Sequence, residues 1–192
     1  MLLALASLVP AQRVLAQTPD LNLSDLESEL TSREAQLIAT VNVARVQAGL
    51  MPLRWNRNLS DSARWFARDA VVTRTTCGHQ DSMGRSPGTR LRAFGYTDIA
   101  SWGETVACGF TEPAAAVHAW LWGDPQKSVV LNPAAREAGA GYFYSAELQR
   151  GYVVFVAAAD PTFAPVLIND EALFTTSPQV TVTVHPQPSP AV

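Results

Sequence analysis

Two cysteines, Cys77 and Cys108, constrain this sequence more than any other feature, because an ionisable side chain sits close to each. Cys77-Gly78-His79 opens the stretch, and Trp102-Gly103-Glu104 leads through Thr105-Val106-Ala107 to Cys108. A disulfide between them would bring an imidazole and a carboxylate to one part of the surface. It would close a loop of about 30 residues and contribute on the order of 3–4 kcal/mol in the chain-entropy model. Two buried free thiols are the alternative. Export from the cell would favour the bridge.

The N-terminus bears on that choice. Residues 1–16 read as a secretory signal peptide, with a short apolar run and Val14-Leu15-Ala16 before Gln17 at a cleavage-like position. The usual positively charged start is missing, and a plain apolar N-terminus is the competing reading. Residues 17–32 form a polar, acid-rich segment. The remainder has ample core material, with 47% of the 192 residues hydrophobic and only 16% charged. Net charge is −3, the only lysine is Lys127, and no basic run stands out, which argues against a nucleic-acid partner. No stretch of the folded part is long and apolar enough for a transmembrane segment.

Hydrophobic periodicity gives the order of elements. Thr31 and Glu34 have capping-box spacing, and Leu37, Ile38, Val41, Ala44 and Ala48 recur on one helical face before Gly49. Pro52-Leu53-Arg54-Trp55 reads as an extended link. A second helix is expected from Asn58, with Leu59, Ala63, Phe66, Ala67 and Ala70 buried. A short third helix is expected around Arg90–Phe94, a strand over Ser101–Phe110, and a fourth helix over 114–122 capped by Thr111 with Pro113 in its first turn. Gly139–Tyr144 and Gly151–Val156 read as a hairpin, with Gly139 and Gly141 marking close strand packing and not a nucleotide loop. Helices mixed with an antiparallel sheet make an α+β layered domain over 33–161. Residues 162–192 form a β-prone, proline-rich tail, suggestive of the first strands of an immunoglobulin-like module but too short to close a sandwich.

Taken in order, these segments resemble a known family. Val41-Asn42-Val43-Ala44-Arg45, Leu53-Arg54-Trp55-Asn56, Cys77-Gly78-His79, Arg90 with Gly95-Tyr96, Gly103-Glu104, Trp120, and Leu131-Asn132-Pro133 followed by Gly139-Ala140-Gly141 are similar to the CAP (SCP-like) superfamily over about residues 33–160. The resemblance implies a three-layer α-β-α sandwich with a mainly antiparallel central sheet, an extended C-terminal tail, secretion of a bacterial extracellular type, and a surface cleft. In that family the cleft commonly holds two histidines and two acids, and some members bind zinc there.

Matched residue by residue, His79 takes the place of the first histidine and Glu104 that of an acid. The second acid and second histidine fall on Gly123 and Gln126, neither of which ionises. Asp81, two residues beyond His79, is the one nearby substitute. A catalytic zinc needs about three protein ligands, so His79 is a weak metal candidate and no cofactor is expected. Ser82 and Ser128 are the serines near enough in register to be considered as nucleophiles, while His118 reads as solvent-facing and His185 lies in the tail. The expectation is a secreted, non-enzymatic module binding an extracellular ligand, a lipid-like molecule or a protein, through a cleft of His79, Glu104, Gln126 and Asp81. A degenerate or metal-assisted hydrolase of peptide or cell-wall material is the alternative.

Overall fold

The computed structural model describes residues 33–73, 77–162, 164, 166–169 and 177–184. The signal-peptide and polar-segment expectations over 1–32, with Thr31, and His185 in the tail lie outside them.

Helix α1 spans Arg33–Gln47 and leads to the two-residue strand β1, Arg54–Trp55. Its buried face differs from the apolar count. Asn42 and Arg45 are buried, whereas Ala44 is half-buried and Ala48 exposed. The polar pair displaces the alanines because each satisfies backbone groups that would otherwise be stranded. Asn42 donates to the Leu53 carbonyl at 2.9 Å and accepts from the Leu53 N–H at 2.8 Å, as a strand would. Arg45 donates to the carbonyls of Met51, Val130 and Asn132, pinning the Leu131-Asn132-Pro133 loop to α1. Burial, with Arg136 nearby, lowers its pKa to about 10.

Helix α2, Arg57–Val72, begins a residue before the expected Asn58, because Asn56 is its N-cap, accepting from the Leu59 N–H. Helix α3 covers Pro87–Ala93; Ser86 caps it, and Pro87 takes the first turn. Strand β2 is Ser101–Cys108. Helix α4, Pro113–Trp122, has Glu112 rather than Thr111 at its N-cap, with no side-chain cap bond. A further helix that periodicity did not reveal, α5, spans Asp124–Val130. At seven residues it is too short to display an apolar repeat.

Strands β3 (Glu137–Ser145) and β4 (Arg150–Ala159) form the expected hairpin. The sheet order is β1-β3-β4-β2, antiparallel except for the β1–β3 pair. Two cores flank it. One joins α1, α4 and α5 to the sheet through Leu37, Val41, Val117, Trp120 and Phe155. The other joins α2 and α3 through Leu59, Phe66, Leu91 and Tyr152. Helices therefore cover both faces, and the molecule is an α+β, three-layer sandwich. Strand β2 is an edge, and Trp120 closes part of it by donating to the Val106 carbonyl at 3.1 Å. The tail residues Val166–Ile168 (β5) and Val182–Val184 (β6) pair antiparallel as a separate ribbon.

Gly139 and Gly141 set the spacing between α2 and the sheet. A Cβ at Gly139 would overlap the backbone of Leu59, and one at Gly141 that of Ala63 and Arg64. Helix and strand meet backbone to backbone, which only glycine permits. Gly141→Ala should therefore cost about 3 kcal/mol through overpacking. Urea denaturation measures it, and a loss below about 0.5 kcal/mol would mean that α2 can move away cheaply.

Candidate functional site

The loop that carries His79 is held at both ends of one rung of the sheet. Cys77 and Cys108 form a disulfide across 31 positions of sequence. Opposite Cys108 in register lies Tyr152, whose hydroxyl donates to the Gly78 carbonyl at 2.7 Å. Burial raises the pKa of that hydroxyl to about 12, so it remains a donor throughout the neutral range. By strand alternation Glu104 shares a face of β2 with Cys108, pointing toward the α2–α3 layer. His79 Nδ1 and Glu104 Oε1 are 3.0 Å apart.

The two partners sit in different environments. The His79 side chain is 53% exposed, whereas that of Glu104 is 2% exposed. A buried carboxylate needs a strong partner, and here it is Arg90. The Arg90 side chain is 1% exposed, and its Nη2 donates to Glu104 Oε2 in a short charge-assisted bond. Its Nη1 donates to the His79 carbonyl at 3.3 Å and lies 3.7 Å from Asp81 Oδ2. The guanidinium carbon stands 3.8 Å from the centre of the Phe66 ring, so the buried Nε, which has no hydrogen-bond partner, faces a ring and not a void. Sequence reasoning placed Arg90 in a helix and gave it no role at the site. The signal available was an arginine within a short helix, and that pattern does not distinguish a buried cation from a surface one.

Asp81 is committed elsewhere. Its Oδ1 accepts from the N–H groups of Met83 and Arg85, and its Oδ2 accepts from Arg85 Nε at 2.8 Å. It shapes the loop and does not turn toward the imidazole of His79. Ser82 donates to Asp69, and Ser128 donates to the Pro125 carbonyl. Neither serine bonds to His79. His118 is exposed on α4.

Gln126 is exposed on α5, and no hydrogen bond joins it to His79 or Glu104. Its Oε1 turns back toward Gly123, where an added Cβ would come within 2.6 Å. The two non-ionising positions are thus neighbours. A tetrahedral metal set does not fit these residues. Glu104 is covered by Arg90, position 126 is an amide, and among the described residues no three His, Cys, Asp or Glu side chains converge as ligands would. Two cavities elsewhere, one of about 480 Å³ beside Glu137 and one of about 260 Å³ beside Trp65, are lined by neither His79 nor Glu104.

A four-stranded, mainly antiparallel sheet between two helical layers, with a disulfide-tethered His–Glu pair at one edge, defines a class of layered α+β domain. Residues 38–158 match the model of the CAP cysteine-rich secretory protein family, which is well over half of the chain. The chain belongs to the CAP family. Among curated proteins it is 29% identical over 121 residues to Bacillus subtilis (strain 168) YkwD, covering 63% of this chain and 46% of that protein. It is 28% identical over 111 residues to the B. subtilis membrane protein YlbC, covering 58% and 32%. The chain thus spans less than half the length of these curated relatives.

Solved structures share the fold. An outer surface protein of Borrelia burgdorferi superposes with a TM-score of 0.61 at 19% identity, over 68% of this chain and 95% of that one. An extracellular protein with an SCP domain from Bacillus anthracis str. Ames gives 0.59 at 19% identity, over 66% and 40%.

The hydrogen bond that His79 donates to the Glu104 carboxylate raises the pKa of His79 above its ordinary 6.5, against the lowering effects of burial and of Arg90. The folded protein holds this proton more tightly than the unfolded chain. The resulting stabilisation is complete below 6.5 and is lost as pH rises through the folded value. An NMR titration should find His79 titrating above 6.5, and the urea midpoint should fall as pH rises through that value. His79→Gln should remove that slope; a native titration at or below 6.5 would contradict the bond. Arg90→Leu leaves Glu104 buried without its guanidinium, while Asp81 keeps Arg85, and should cost about 3–5 kcal/mol. A loss under about 1 kcal/mol would show that Glu104 had found another partner.

Proposed function

We propose that this CAP domain is an exported binding module that engages a small apolar ligand or an extracellular protein through the surface around His79 and Glu104, and that it performs no chemistry there. One observation carries the reading: Arg90 already occupies the Glu104 carboxylate. Its Oε2 is held by that buried cation and its Oε1 by His79. Glu104 could therefore act as a general base or metal ligand only by giving up the imidazole, or by releasing Arg90 and leaving an unpaired buried charge at a cost of several kcal/mol. The positions that would complete the family's set, Gly123 and Gln126, offer neither a proton nor a strong ligand. The nearby serines are bonded to groups other than His79, so nucleophilic catalysis lacks an activated hydroxyl.

Apolar side chains support a binding role. Trp102, on the same face of β2 as Glu104 by alternation, is exposed, as is Met83 in the loop after His79. Export is supported by the disulfide, which persists in oxidising compartments, and by the extracellular and outer-surface descriptions of the two solved neighbours. No helix among the described residues is long and apolar enough to cross a membrane. The domain itself is proposed to run over residues 33–161, with 1–16 as the export signal and 162–192 as an appended tail.

Calorimetric titration of zinc into native protein and into His79→Ala separates this reading from a metal-assisted hydrolase. Neither protein should show binding in the micromolar range. Micromolar binding to the native protein that disappears in the variant would overturn the proposal. Native mass spectrometry of protein purified from the medium should show a retained small molecule or a second polypeptide, and the bare chain alone would count against a tight ligand.

A further inference from the structure

We infer that the cavity of about 480 Å³ at the start of α2 is a second binding site, built for a neutral polyhydroxylated ligand such as a saccharide unit. Its size falls in the range of small-molecule pockets. Its wall draws on β1, the first turn of α2, the turn after α3 and the facing ends of β3 and β4, and it shares no residue with the His79 surface. The proposal stands independently of the function assigned to that surface.

Glu137 carries the argument. It is 3% exposed, yet its side chain belongs to the cavity wall. Oε1 accepts from Asn56 Nδ2 at 2.9 Å, and Oε2 accepts from the Tyr96 hydroxyl at 2.8 Å. A carboxylate offers about four acceptor positions, so roughly half of this one's capacity remains at the wall of a cavity. Burying a carboxyl group is costly, and an apolar residue would fill a merely structural position at less expense. The two donors are fixed in turn. Asn56 is the N-cap of α2 through its other amide atom, and burial and Glu137 push the pKa of Tyr96 well up, so its hydroxyl stays a donor.

The rest of the wall selects the ligand class. Arg54 and Arg57 share the lining with Glu137, Asp98 and Asp160, a formal balance of −1, and Arg57 also pairs with Asp61. A strongly charged anion or cation would therefore meet repulsion as well as attraction. Asn58, whose Nδ2 also donates to the Gly95 carbonyl, and the arginines place N–H groups beside carboxylate acceptors in one lining. A hydroxyl both donates and accepts, and a sugar ring carries several. Trp55 also lines the cavity with its Nε1 committed to Ser60 Oγ at 2.8 Å, so the ring offers the apolar surface against which the C–H face of a pyranose packs.

The test is an NMR titration of the full ¹⁵N-labelled chain with N,N′-diacetylchitobiose, with maltose, and with glycylglycine as a zwitterion. At least one disaccharide should bind saturably with Kd of roughly 1–10 mM, shifting the Trp55 indole and the amides of Asn56, Asn58 and Gly95. Glu137→Gln should weaken that binding at least tenfold without moving the His79 resonances. Should that variant not fold, Asp160→Ala at the half-buried rim takes its place, with the same loss expected. The inference is overturned if neither disaccharide shifts the cavity resonances, if the shifts map elsewhere, if both variants bind as the native chain does, or if glycylglycine binds and the sugars do not.

Discussion

A single buried cation organises one end of this molecule. Arg90 reaches from α3 to Glu104 on β2, to the carbonyl of His79 and toward Asp81 in the loop, and lies over the Phe66 ring of α2. Taking a guanidinium out of water costs several kcal/mol, and the cost is offset only when charge and geometry are both satisfied. Here two carboxylates answer two guanidiniums, since Arg85 donates to the same Asp81 Oδ2 that Arg90 approaches and itself stacks on Trp65. The cluster adds a polar lock to four segments, α3, β2, the His79 loop and α2, that the disulfide and the shared apolar core also bring together. The His79–Glu104 pair is the exposed tip of that cluster and not an independent dyad.

This placement changes what the pair can do. In an acid–base pair the carboxylate orients an imidazole and stabilises the charge that the imidazole acquires. At Glu104 the charge is already met from the inner side by Arg90, which also opposes protonation of His79. The imidazole still gains a proton more readily than a free histidine, yet among the described residues neither Ser82 nor Ser128 bonds to it and no group of three His, Cys, Asp or Glu side chains could hold a metal there. What remains is a half-exposed ring hydrogen-bonded to a buried carboxylate. The disulfide and the Tyr152–Gly78 bond hold the loop on the same rung, so the ring's position does not depend on His79 being charged.

The layered fold was largely legible in the sequence, since long elements announce themselves by period: the stripe Leu59, Ala63, Phe66, Ala67, Ala70 and the hairpin from Gly139 to Val156 stand where apolar spacing puts them. Helix α5 was not legible, because seven residues opening on Asp-Pro carry no repeat. Nor were the polar anchors. Asn42 and Arg45 interrupt an apolar stripe, and their burial follows from distant carbonyls at Leu53, Val130 and Asn132 that no local pattern reveals. At the site, the resemblance pointed to His79 and Glu104, which do meet. Asp81 and Gln126 were proposed from chain proximity and family register; the first is taken by Arg85 and the second faces Gly123. Arg90, which matters most to the geometry, was hidden because burial of a charge is a tertiary property.

The contact between α2 and the sheet links the two ends of the molecule. The N-terminal turn of α2 frames the cavity over Glu137, while Phe66, on the same helix, lies under Arg90. Between them α2 touches β3 backbone to backbone at Gly139 and Gly141. Close-packed contacts of this kind are bistable or rigid, not gradually deformable. A ligand shifts a conformational equilibrium only by binding two states unequally, and α2 has no second position that preserves both glycine contacts. The helix is therefore a fixed strut. Both flanking loops are tied to that strut, the Gly78–Ser86 segment through Ser82 and Asp69 and the Gly95–Asp98 turn through Asn58 and the Gly95 carbonyl, and each of these loops belongs to one end alone.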